Sequence, residues 1–161
     1  MSAGAFDPWA IIAVLERHRV NYVLIGTLAG VLHGTDEIAD GVEVCPQMKT
    51  ENVDRLCAAL AELAEDATSL VPDAIRASPT TSVATSVGRI DIVPEPPGSA
   101  GWDDLRRAST REPLGRGVRC TVASVDDLGR VMTSEGRPDD RERLALLRRL
   151  SELDRSRGLS R

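Results

Sequence analysis

The stretch YVLIGTLAGVLHGTDEIADGVEVCP, Tyr22 to Pro46, holds more structural information than any other part of the chain. Tyr22 to Ile25 is a short β-branched and aromatic run, the composition of a buried strand, and it stops at Gly26. Gly26 and Thr27 open a short helix through Leu32. Gly34 to Asp40 then forms a polar turn region, and Val42 to Val44 is a second, alternating strand that Pro46 ends. A glycine at a strand-to-helix junction lets a ligand phosphate come close to the backbone. The helix start adds unpaired N–H donors and the positive end of the dipole. Gly26 and Thr27 are therefore candidates for holding a phosphate, although an ordinary tight turn accounts for Gly26 equally well.

On the amino-terminal side, Ile11, Val14, Leu15 and His18 recur at helical spacing, with Asp7 as N-cap and Pro8 at the first helical position, which predicts a helix over 8–18. On the other side, Thr50 as cap, Glu51 in the first turn and the stripe Val53, Leu56, Leu60, Leu63 predict a third helix. Pro72 to Thr81 is rich in Pro, Ala, Ser and Thr and reads as a loop. Two strands follow, Ser82 to Ser86 and Arg89 to Val93, with Gly88 suited to a hairpin turn. Prolines 94, 96 and 97 with Gly98 and Gly101 make a rigid connection, after which Asp103 to Ala108 reads as a short helix and Val118 to Val122 as a strand. Ser124 and Asp127 resemble a capping box ahead of Leu128, Val131 and Met132. A last helix from Pro138 to about Asp154 carries Leu144, Leu147, Leu150 and Leu153, with a frayed tail beyond. This order implies an α/β (α+β) fold, a mixed sheet flanked by helices, in a single domain spanning 1–161.

Composition narrows the function. The 161 residues are 42% hydrophobic and 28% charged, ordinary for a folded domain. Aromatics make up 2%, so a base-stacking platform is hard to build, and a net charge of -5 opposes a polyphosphate backbone; both disfavour nucleic-acid binding. The three cysteines lie far apart in apolar runs, as buried reduced thiols do. No apolar run reaches the roughly 18 to 20 residues of a membrane span, and the first residues lack the pattern of a signal peptide, so a cytoplasmic location is expected. Lys49 is the only lysine.

The chain resembles the small nucleotidyltransferases of the DNA polymerase beta type, particularly bacterial families related to the minimal nucleotidyltransferases and abortive-infection toxins. In those families the helix after the first strand begins with Gly-Gly or Gly-Ser and ends near His-Gly, and the next strand carries Asp-x-Asp. Gly26-Thr27 matches the first element loosely and His33-Gly34 the second well. The Asp-x-Asp position falls on Gly41-Val42-Glu43. A third family carboxylate matches Asp91 in GRIDIVP, and Gly136, Arg137, Pro138 and Asp140 match the family's ending.

The resemblance implies Mg²⁺-dependent transfer of a nucleoside monophosphate from an NTP to an acceptor. Two divalent metals, held by carboxylates on adjacent strands, activate the acceptor oxygen and stabilise the leaving pyrophosphate. On that pattern Glu43 and Asp91 are the metal ligands, Asp40 a third catalytic carboxylate, and Gly26, Thr27 and Arg137 the nucleotide contacts. Strand alternation puts positions 41 and 43 on one face, yet Gly41 has no ligand to offer, and Asp40 would point to the opposite face unless a bulge turned it. Glu37 and Ala39 stand where the family often has a basic residue and a hydroxyl, and Met132 or Thr133 where it often has a lysine. Glu43 and Asp91 could instead pair with arginines such as Arg89, while Asp36, Glu37 and Asp40 read as a solvated acidic loop. His33 reads as closing a helix end through a backbone hydrogen bond. Two functions stay open: a transferase, or an inactive relative kept as a binding or regulatory module, such as an antitoxin-like partner or nucleotide sensor. A protein partner or homo-oligomer fits either.

Overall fold

The computed structural model describes residues 5–136 and 141–159, with the side chains of residue 141 and residues 154–159 left aside. Arg137, Pro138 and Asp140 lie outside the described residues. Helix α1 (Pro8–Arg17) starts as expected, with the Asp7 carboxylate accepting from the Ala10 N–H at 3.0 Å. Strand β1 (Tyr22–Ile25) is buried along its whole length and leads directly into α2 (Gly26–His33). Then come β2 (Gly41–Pro46), α3 (Thr50–Leu63), α4 (Pro72–Ala77), the hairpin β3 (Thr81–Thr85) and β4 (Gly88–Ile92), α5 (Trp102–Leu105) with a 3₁₀ turn, β5 (Thr110–Gly115), β6 (Val118–Val122), α6 (Val125–Glu135) and α7 (Arg141–Leu159).

Six strands form one mixed sheet in the order β3-β4-β2-β1-β6-β5. β1 runs antiparallel to β2 and parallel to β6, and β2 runs parallel to β4 with Gly41 opposite Arg89 and Glu43 opposite Asp91. The alternation then sorts the two faces. Val42, Val44, Ile90 and Ile92 are fully buried on the face where α1 and α3 pack, together with Ile11, Ile12, Leu15, Leu56 and Leu60. Positions 41, 43, 89 and 91 fall on the other face, toward α2, α6 and α7. A mixed sheet flanked by helices is thus the architecture.

Several local expectations are corrected. Thr50 is the first residue of α3 rather than its cap, and no side chain caps that helix. The segment expected to be a loop contains α4, started by Pro72 at its first position and anchored by buried Ile75. β5 was not expected: its sequence, TREPLG, has no apolar run, and it forms an edge strand where the missing N–H of Pro113 is tolerated and the register slips between Pro113 and Gly115. Helix α7 runs to Leu159, past the end expected near Asp154, and its inward face is rotated. Leu147 and Ser151 are buried, whereas Leu153, expected in the apolar stripe, is 48% exposed. Cys45 and Cys120 are buried free thiols as expected, their pKa values pushed up by burial to about 12 and about 11, while Cys57 is only half-buried. Among the described residues, no helix is long and apolar enough to cross a membrane.

Candidate ligand cleft

The second face of the sheet is not closed by its helices. A cavity of about 300 Å³ remains between the strand ends and α2, α6 and α7, at the lower end of the range for small-molecule sites. Its lining brings together five of the six residues that the sequence singles out: Gly26, Thr27, Asp40, Glu43 and Asp91. Arg137 lies outside the described residues.

Gly26 takes φ +76°, a left-handed conformation that glycine adopts freely, so the chain can turn from β1 into α2 without an intervening loop. The helix start carries no side-chain cap. Close approach requires the glycine as well: a Cβ there would lie 2.5 Å from Glu43 Oε2. The feature that occupies the cradle at Gly26 is thus the carboxylate of Glu43, reaching across from β2.

Arg89 sets the geometry of the other half. It stands beside Gly41 in the β2–β4 register, and its guanidinium lies across that glycine; a Cβ on Gly41 would be 2.8 Å from Arg89 Nη2 and 3.1 Å from its Cζ. From there Nε donates to Asp91 Oδ2 and Nη2 to Asp40 Oδ1, both at 3.1 Å. These bonds, that to Asp91 foremost, hold the guanidinium even more firmly protonated than usual. The second oxygen of Asp91, Oδ1, is buried and has no hydrogen-bond partner.

Asp40 reaches this group without a bulge. β2 begins at Gly41, so Asp40 belongs to the preceding loop and escapes strand alternation, and its side chain stays 86% exposed. Glu37 is not the solvated residue expected of an acidic loop: it forms a two-pronged ion pair with Arg143 of α7, both contacts at 2.5 Å, which ties the α2–β2 loop to the last helix. Of the two positions compared with a family lysine, Met132 lines the cleft, and Thr133 is exposed with its hydroxyl donating to the Gly129 carbonyl at 2.8 Å. His33 donates from Nε2 to a backbone carbonyl as expected, but to that of Ala123 just after β6, at 2.7 Å, rather than to one in its own helix. It thereby fastens the end of α2 to the start of α6.

Sequence reading did not find Arg143 or Thr35. Arg143 was signalled by its place one turn before Leu147, which makes it share that residue's inward face. Thr35 lines the cleft, is 6% exposed, and leaves its hydroxyl without a partner. It packs on Gly30 of α2, a contact between neighbouring elements that no spacing rule announces.

As a magnesium centre this donor set does not fit. The first position that the resemblance implies, Gly41, has no side chain, the space beside it holds a guanidinium, and Asp40 and Asp91 are both committed to that guanidinium. Among the described residues, no group of three or more His, Cys, Asp or Glu is placed to hold a metal ion.

Over 89% of the chain the backbone is similar to a solved structure from Thermotoga maritima described as a "putative nucleotidyltransferase". The TM-score is 0.58 at 14% identity, over 89% of each chain. No protein-family model and no curated protein sequence matches this chain. That likeness, with the mixed six-stranded sheet flanked by helices, makes this a protein of the nucleotidyltransferase fold.

Proposed function

We propose that this chain is a nucleotidyltransferase-fold binding or regulatory module that has lost metal-dependent transfer. The observation that carries this reading is the guanidinium of Arg89, seated against Gly41 and bonded to Asp40 and Asp91. In-line transfer needs at least one divalent ion held octahedrally between strand carboxylates, and a fixed organic cation can neither offer open coordination sites nor activate an oxygen.

Electrostatics argues in the same direction for the nucleotide. The described lining of the cleft carries Glu37, Asp40, Glu43, Asp91 and Glu135 together with Arg89 and Arg143. A free triphosphate entering such a cleft meets like charge, and without a bridging metal the helix start at Gly26 offers little compensation. A ligand with a cationic group, such as a basic side chain of a protein partner, suits the cleft better. Ile38, 94% exposed in the α2–β2 loop, adds an apolar contact on the same loop as Glu37 and Asp40.

Isothermal calorimetry of the full chain with ATP, with and without Mg²⁺, tests this. The expected result is no Mg²⁺-dependent heat. A stoichiometric Mg²⁺-dependent ATP isotherm that Asp91→Asn abolishes would restore the transferase reading, with Glu43 and Asp91 as metal ligands and Gly26 and Thr27 at the phosphates.

A further inference from the structure

The geometry points to a phosphate-binding site, for free phosphate or a phosphomonoester, in the recess where Arg19, Arg106 and Arg111 converge at the end of β1 remote from the cleft. Tyr22 opens β1 at this recess, whereas Gly26 follows the strand's other end. The two share no lining residue, so the recess stands whether or not the cleft holds a nucleotide.

Charge is the first observation. The chain is acidic as a whole, with a net charge of -5, yet residues 106–119 hold five arginines and one acidic residue. The recess, about 380 Å³, is lined by Arg19 from the turn after α1, Arg106 from the 3₁₀ turn and Arg111 from β5, against a single carboxylate, Glu16. Three elements distant in sequence thus bring guanidiniums to one space, and like charges gathered in this way repel until an anion joins them.

The second observation is that hydrogen-bond donors remain on these arginines. Glu16 accepts from Arg111 Nη2 at 2.6 Å and Nη1 at 3.2 Å and from the Tyr22 hydroxyl at 2.8 Å, and Thr121 Oγ1 accepts from Arg111 Nη1 at 3.1 Å. Tyr22 is 3% exposed, so the Glu16 carboxylate is anchored from the core and fixes Arg111 in turn. These bonds leave Arg111 with N–H groups to give on Nε and Nη2. Arg106 lies over the Trp102 ring, 5.0 Å from its centroid, with the exposed Asp103 carboxylate 3.6 Å away. The Arg19 side chain makes no hydrogen bond or ion pair among the described residues.

The backbone supplies the third. Arg19 takes φ +57°, with its N–H bonded to the Glu16 carbonyl and that of Val20 to the Leu15 carbonyl, the closure after a helix that favours glycine. An arginine held there against the backbone's preference, with no partner of its own, brings a charge to the recess that the fold does not use. Arg19 and Arg106 match the roughly two negative charges of a phosphomonoester near neutral pH, and the fixed fork of Arg111 suits its oxygens.

The test is a titration of the full chain with inorganic phosphate and with phenyl phosphate, against chloride at matched ionic strength, followed by amide NMR shifts. It uses wild type, Arg19→Gly, Arg106→Gln and Arg107→Gln, the last a neighbouring arginine outside the recess. Saturable shifts are expected around Arg19, Arg106 to Arg111 and Thr121. Affinity should fall roughly tenfold in Arg19→Gly and in Arg106→Gln, and stay within about twofold in Arg107→Gln. Arg19→Gly should melt no lower than wild type, because glycine suits that backbone, so its lost binding is not lost folding. Tighter binding of phenyl phosphate identifies a monoester and tighter binding of inorganic phosphate the free ion; either supports the site. Shifts scattered over the surface, or an affinity that Arg19→Gly and Arg106→Gln reduce no more than Arg107→Gln does, would overturn it.

Discussion

At Gly26 two demands meet on one residue: the backbone needs φ +76°, and the Glu43 carboxylate needs the space a side chain would fill. Gly26→Ala is therefore expected to cost about 2–3 kcal/mol, from the left-handed backbone and the overlap together. Placing it on Glu43→Ala should return part of that cost and not the rest, because removing the carboxylate relieves the overlap and leaves the backbone strain. Chemical denaturation of the two single variants and the double variant measures this; strict additivity would show that the side chains do not meet. The same scale shows what sequence reading could and could not reach. Gly26, Glu43 and Asp91 were legible because a glycine at a strand end and acids inside apolar strands are conspicuous. That Arg89 would occupy the place beside Gly41 was not, since it depends on which strands are neighbours and in what register; Arg89 entered only as one possible partner.

Among the elements, the connection of α3 to the start of β1 rests on a residue that sequence patterning passes over. Asn52 is fully buried, although asparagine in a helix ordinarily reads as part of the polar face. Its carbonyl oxygen accepts from the Asn21 N–H at 2.7 Å, and its amide donates to the carbonyls of Asn21 at 2.9 Å and Gln47 at 2.7 Å. One side chain thus serves backbone groups of both strands at one end of the β1–β2 pair, where Tyr22 stands opposite Pro46. Asn52→Ala would remove the partner of the Asn21 N–H and of the Gln47 carbonyl, leaving the Asn21 carbonyl its bond from the Gln47 N–H, and should destabilise the fold by about 2 kcal/mol, read from urea unfolding. A loss below about 0.5 kcal/mol would mean that water replaces the amide. Elements with an apolar period, such as α1, β1, α3 and β6, could be read from the chain. β5 and α4 could not, because an exposed edge strand and a helix with a single buried anchor leave almost no periodic signal.

For the whole molecule, fold and site separate. The mixed sheet and its flanking helices have the nucleotidyltransferase fold, and the cleft lies where five candidate residues converge. What lines that cleft departs from the pattern the resemblance implies: Gly41 at one implied ligand position, Arg89 against it, Met132 or Thr133 where a lysine is often found, and a Glu37–Arg143 pair tying the loop to α7. The polar residues of the cleft stand apart from the apolar core on the α1 and α3 face, so the fold by itself does not fix the chemistry of the cleft. The most direct measurement is a crystal structure of the full chain grown with Mg²⁺ and a non-hydrolysable ATP analogue. The predicted result is Arg89 between Gly41 and Asp91, with neither octahedral metal density beside Glu43 nor phosphates at Gly26. Arg89 swung out to solvent, with a hexacoordinate ion bridging Glu43 and Asp91 and the triphosphate lying on the start of α2, would contradict it.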